Sequence, residues 1–122
     1  MIPNERLSRF ISANFRSVWA LELLLYLRRR SGGHGQAELV DALRASDLVV
    51  RRALDDLIAV GLVIVDDAGD ASFVPATSVL AELTDQAQEL YAKRPDAVRR
   101  MIVRAASPQL TTFADAFRLR KP

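Results

Sequence analysis

The chain has 122 residues, half of them apolar and about a quarter charged, with a net charge of +2. That is material for one domain with one hydrophobic core. The absence of cysteine excludes disulfides and thiolate zinc sites. So small a net charge does not itself demand a polyanionic partner, although local clusters can serve one. The longest apolar stretch, 18–27, contains Glu22, ends in three arginines and is too short to span a bilayer. Residues 1–6 lack the charged-then-apolar order of a signal peptide. The expectation is a cytoplasmic protein with no membrane partner.

In chain order, Pro3 and Asn4 open a short amphipathic segment ending near Asn14, with Leu7, Phe10 and Ile11 on one face. Ser17 is placed to cap a helix over 18–30. Trp19, Leu23, Tyr26 and Leu27 are spaced for packing there, and Leu21, Leu24 and Leu25 widen the apolar surface. A helix apolar on most sides is usually buried on most sides. Ser31-Gly32-Gly33-His34-Gly35 reads as a flexible loop with a solvent-facing histidine. A short helix over 36–43 turns Leu39, Val40 and Leu43 inward, and Arg44-Ala45 is a tight connection.

The run 46–63 is the most informative part of the chain. Ser46 is a good N-cap. Val50, Leu54, Leu57 and Ile58 recur at helical spacing and share one face. Gly61 sits where a helix end needs a residue tolerant of the left-handed conformation. Residues 62–65 are apolar and mostly β-branched, a strand pattern. Asp66-Asp67-Ala68-Gly69-Asp70 is a turn by composition, and 71–74 is the return strand, stopped by Pro75. Thr77 or Ser78 caps a helix through about Arg94, with the stripe Leu80, Leu83, Ala87, Leu90 and Tyr91. Beyond Pro95, Val98, Met101, Ile102 and Ala105 keep helical phase to 106. Ser107-Pro108 starts a final short helix carrying Leu110, Phe113 and Phe117, followed by Arg118, Arg120 and Lys121.

Three segments carry a family resemblance: Leu21-Glu22-Leu23-Leu24-Leu25-Tyr26-Leu27, Gln36-Ala37-Glu38-Leu39-Val40-Asp41-Ala42-Leu43, and the run 46–63 with Val50, Leu54, Leu57, Gly61, Leu62 and Val63 in the matching places. Together they resemble the first core helix, the turn helix and the "SxxxVxxxLxxLxxxGLV" recognition segment of bacterial winged-helix regulators of the MarR and ArsR type. The resemblance covers about half the chain, 18–75. It implies a mainly α fold with one β-hairpin, a winged helix-turn-helix with extra N- and C-terminal helices. On that reading 1–16 is an N-terminal extension, 17–76 the winged-helix domain and 77–122 the dimerisation helices. It also implies a homodimer bound to double-stranded DNA, with 46–60 as the recognition helix. The stripe Leu80, Leu83, Ala87, Leu90 and Tyr91 would then be half of the dimer interface, although it equally suits the monomer's own core.

A recognition helix lies in the major groove with its N-terminal part toward the base edges. Residues about 100° apart around a helix put Leu48, Arg52, Asp55 and Ala59 opposite the apolar stripe, flanked by Arg51 and Asp56. Arg51 and Arg52 can read guanine. Ser46, the amides beside it and Arg44 can meet phosphate, and Leu48 can touch a thymine methyl. Three features favour a different partner. Leu48 and Val49 stand where the family has small polar residues, Asp55 and Asp56 repel phosphate, and the hairpin tip has three carboxylates but no basic residue. The alternative is a winged-helix module that binds another protein without DNA.

The remaining clusters suggest less. Arg28-Arg29-Arg30 suits a solvated helix end, where arginine complements the dipole, more than a phosphate patch. Arg99, Arg100 and Arg104 form another basic face, more often solvated than bound. Trp19 and the phenylalanines read as core or interface residues. Asp66, Asp67 and Asp70 do not match an EF-hand loop. The glycine loop precedes no Gly-Lys-Ser/Thr, and the one histidine has no catalytic partner in the pattern. No enzyme, metal or cofactor is expected.

Overall fold

The computed structural model describes residues 5–106. The expected final helix with Leu110, Phe113 and Phe117 lies outside the described residues. Within them the order is α1 (Glu5–Asn14), α2 (Val18–Arg29), α3 (Gln36–Leu43), α4 (Asp47–Val60), β1 (Val63–Val65), β2 (Ala71–Phe73), α5 (Ser78–Lys93) and α6 (Pro95–Ala106). The fold is mainly helical with a small two-stranded antiparallel sheet.

Local chemistry sets most of these boundaries. The hydroxyls of Ser17, Ser46 and Thr77 accept hydrogen bonds from the amides of Ala20, Val49 and Leu80, satisfying orphan donors of α2, α4 and α5. Pro95 occupies the first position of α6, where its missing N–H is not needed. α4 ends at Gly61, whose φ of +90° is left-handed; the amides of Gly61 and Leu62 return to the carbonyls of Ile58 and Leu57. A Cβ at Gly61 would also stand 3.3 Å from the Ala76 Cβ.

One core joins every element. α2 supplies Ala20, Leu21, Leu23, Leu24, Leu25 and Leu27, and packs against α4 through Val50, Ala53, Leu54 and Leu57. Leu39 of α3 closes one end. Leu7, Phe10 and Ile11 of α1 meet Val98 and Ile102 of α6, so both terminal helices bury apolar faces in the same core. Phe15, in the turn after α1, packs its ring edge-on against Phe10 at 5.6 Å. No single helix among the described residues is long and apolar enough to cross a membrane.

Several residues depart from the sequence-based expectation. Ile58 is 42 % exposed, because Leu57 takes the inward position at that turn. Trp19, read as core or interface, is 40 % exposed, so it is not part of this chain's own core. The glycine loop is held in place. His34 forms an antiparallel bridge with Ala71, each backbone N–H donating to the other's carbonyl at 2.9 and 2.8 Å. The His34 side chain is only 11 % exposed.

The stripe expected at a dimer interface closes this chain's own core. Leu83 and Ala87 are buried, and Leu80, Leu90 and Tyr91 are partly buried against the same cluster. A twofold contact and an intramolecular one impose the same helical spacing, so periodicity does not separate them.

Candidate functional site

α4 is presented on a fixed turn. Arg44 ends α3 in the left-handed region, at φ 52° and ψ 44°, and its amide and that of Ala45 return to the carbonyls of Asp41 and Val40. Left-handed backbone costs an L-residue roughly 1–2 kcal/mol, yet this reversal lets the chain enter α4 within two residues. Gln36 secures the crossing from the other side, where its Nε2 donates to the Asp47 carbonyl at 3.0 Å.

All five residues singled out for DNA contact lie together on this outer surface. Arg44, Ser46, Leu48, Arg51 and Arg52 are each exposed, while Val50, Ala53, Leu54 and Leu57 hold the opposite face of α4 in the core. Leu48 is 54 % exposed. Ser46 already uses its oxygen to cap the helix, accepting from the Val49 amide. Among the described residues, Arg44, Arg51 and Arg52 enter no ion pair or side-chain hydrogen bond. Three uncommitted guanidiniums therefore surround the start of one exposed helix.

Carboxylates limit this positive surface. Asp47 and Asp55 are exposed on the same helix, and Asp56 lies 4.0 Å from the Arg16 guanidinium. In the hairpin, Val63 pairs with Phe73, Ile64 with Ser72 and Val65 with Ala71. Its tip is built by Asp66, whose Oδ1 accepts from the amides of Ala68 and Asp70 at 3.0 and 2.9 Å. That carboxylate organises the turn. Asp67 is exposed and Asp70 half-buried, and no group of three or more metal-ligating side chains occurs among the described residues. Asp70 packs against the glycine loop, where a Cβ at Gly33 would come within 2.9 Å of its own Cβ.

The other basic clusters are distributed differently. Arg28 is tied to α5, with its Nε donating to Asp85 at 2.8 Å and its Nη1 to Gln88 at 2.7 Å. It is a cross-helix clamp, neither a solvated end nor a phosphate patch. Arg30 lies over the Tyr26 ring at 4.3 Å. Arg99 lies over the Tyr91 ring at 5.4 Å and bonds Asp96, while Arg100 and Arg104 are exposed. The Tyr91 hydroxyl donates to Glu22; burial first, and that bond second, raise its pKa above the usual tyrosine value.

Sequence reasoning missed the cluster behind the glycine loop. His34 Nδ1 is 2.6 Å from Glu38 Oε2, and Nε2 is 2.9 Å from the Arg30 carbonyl. The Tyr26 hydroxyl donates to the same Glu38 oxygen at 2.8 Å, and its ring meets the imidazole edge-on at 5.7 Å. The His34–Glu38 spacing of four, with α3 starting at Gln36, was the available signal. Two acceptors around one imidazole favour the cation. The Arg30 carbonyl is the largest cause of the raised His34 pKa, opposed by desolvation and helped by Glu38. Glu38 is lowered, first by the Tyr26 hydroxyl and then by His34. This cluster fastens α2, α3 and the sheet behind the exposed helix. No family model, curated protein or solved structure matches the chain.

Proposed function

We propose that this chain is a DNA-binding transcriptional regulator on a winged helix-turn-helix scaffold of the MarR and ArsR kind. α3 and α4 would be the helix-turn-helix and the β1–β2 hairpin the wing. The observation that carries the proposal is the group of three arginines, Arg44, Arg51 and Arg52, exposed and without ionic partners among the described residues, around the N-terminal part of a helix whose other face is locked in the core. Such a helix can enter a major groove as a rigid unit, with Arg51 and Arg52 toward base edges, Arg44 and the first amides toward phosphate, and Leu48 against a thymine methyl. The acidic hairpin tip then points away from the phosphates. Two copies on a palindromic site would meet through surfaces other than the α5 stripe.

The experiment is binding of the Arg51→Ala/Arg52→Ala variant to DNA, beside its thermal unfolding. Both side chains are exposed, so unfolding should stay unchanged while affinity is lost. Unchanged affinity overturns the assignment.

A second reading has its own observation. Leu48 is 54 % exposed on α4, and the hairpin carries exposed Ile64 and Val65 beside its acidic tip. An apolar face with an acidic rim suits a protein partner. Leu48→Asp and Arg51→Ala/Arg52→Ala, both assayed for capture of a protein partner, discriminate the two. The first would abolish capture of such a partner, whereas loss of phosphate contacts on replacing the arginines would leave that capture intact.

A further inference from the structure

The glycine loop between α2 and α3 has one anchor. A Cβ at Gly32, where φ is +93°, would meet nothing within 4 Å, so the turn is unpacked there. His34 instead reaches three elements at once. Its backbone pairs with Ala71 of β2 in both directions. Its Nδ1 meets Glu38 of α3, and its Nε2 meets the carbonyl of Arg30, the residue that ends α2. Among the described residues this bridge is the backbone link between the sheet and the loop.

Both neighbours of the ring are acceptors. A carboxylate and a backbone carbonyl each need an N–H, and only the imidazolium carries two. A neutral ring donates through one nitrogen and turns a lone pair toward an oxygen, at 2.6 or 2.9 Å, with the other. The charges around it mostly favour the cation. Glu38 faces it from α3. From the hairpin, the Asp70 carboxylate oxygens stand within 3.6 Å of the positions that Cβ atoms of Gly33 and Gly35 would take, on either side of His34. From α2, Tyr26 donates to Glu38, and Arg30 is the opposing cation, drawn over the Tyr26 ring at 4.3 Å. We propose that His34 is a proton-operated clasp: as the imidazolium it fastens the hairpin, through Ala71, to α2 and α3, and loss of the ring proton opens the His34–Ala71 bridge while the helical core stays closed. The raised pKa of His34 sets the sign. The clasp is closed below the ordinary value of about 6.5 and opens as pH rises through the folded one. It does not depend on α4 binding DNA. If the hairpin is a wing as proposed above, the attachment of that wing to the helices is what the proton controls.

His34 is the chain's only histidine, so the imidazole proton signals follow its titration alone. Amide hydrogen exchange of the full chain, expressed as protection so that the intrinsic pH dependence is divided out, reads the bridge. Protection of the His34 and Ala71 amides should be flat below the ordinary histidine range. It should then fall by up to about tenfold per pH unit as far as the imidazole midpoint. Low urea should leave it unchanged, as local opening requires. The amide of Leu24, fully buried in α2, should exchange more slowly than both and be accelerated by urea. His34→Gln should make protection of the bridge independent of pH. Glu38→Gln tests the same point with the imidazole in place. Its amide can donate to a neutral ring, so the imidazole midpoint should move down and the fall in protection should diminish. An imidazole midpoint at or below about 6.5 overturns the proposal, as does a midpoint unmoved by Glu38→Gln. Bridge protection that ignores the imidazole titration overturns it too. So does protection that matches Leu24 in rate and urea dependence, because the bridge then opens only with the whole fold.

Discussion

His34 and Glu38 form an ion pair at 2.6 Å across the start of α3, and the second nitrogen of His34 faces the Arg30 carbonyl. The pair joins the loop bridged to β2 with the helix that leads into α4. Because the folded pKa of His34 is raised, its stabilising contribution is complete below the unfolded value of about 6.5. It is lost as pH rises through the folded value. Glu38 is shifted the other way; its contribution is complete above the ordinary carboxylate range and lost as pH falls through its folded value. Denaturant unfolding across pH should show stability declining on the alkaline side of the histidine titration. His34→Gln should remove that decline, and a native profile flat through neutrality would contradict the pair.

Arg44 holds a left-handed conformation that glycine adopts freely. Arg44→Gly should therefore leave the fold at least as stable, with a gain of up to about 1 kcal/mol by denaturant titration. DNA affinity should fall at the same time, because a cation at the mouth of α4 is removed. Stability and binding moving in opposite directions is the signature to look for.

The inward stripe of α5 predicts a monomer-intrinsic core. Leu83→Ala should cost about 2–5 kcal/mol, and the loss should not vary with protein concentration. An obligate dimer interface would give a melting temperature that rises with concentration. Ile102→Ala should behave in the same way, since α6 is sealed against α1.

Arg28 is committed to Asp85 and Gln88. Arg28→Ala should weaken the α2–α5 contact by no more than about 1 kcal/mol, the range for a partly exposed pair. DNA binding should be unchanged. A marked loss of affinity would return Arg28 to the phosphate-contacting group.

α4 and its surroundings were legible because their determinants are local. Ser46, the Val50, Leu54 and Leu57 spacing, and Gly61 lie within one continuous segment, and they fix the helix, its inner face and its stop. Arg51, Arg52 and Leu48 then follow as the outer face. The mainly helical architecture and the hairpin were legible for the same reason. What was not legible depends on distant partners. His34 is ordered by Ala71 and the Arg30 carbonyl, Arg28 by Asp85, and neither link leaves a periodic trace. Ile58 shares the phase of Leu57 and Leu54, and only the width of the neighbouring elements decides which of the three stays outside. Trp19 reads as core or interface because α2 is apolar nearly all round, and only the packing of α2 leaves it at the surface.

The measurement that bears most directly on the central claim is binding of the purified protein to mixed genomic duplex DNA, followed across a salt titration. The account predicts affinity that falls steeply and linearly with salt on logarithmic axes, as several phosphate contacts require, with a shallower slope for Arg51→Ala/Arg52→Ala. No binding even at low salt would contradict it and leave the exposed α4 face to a protein partner.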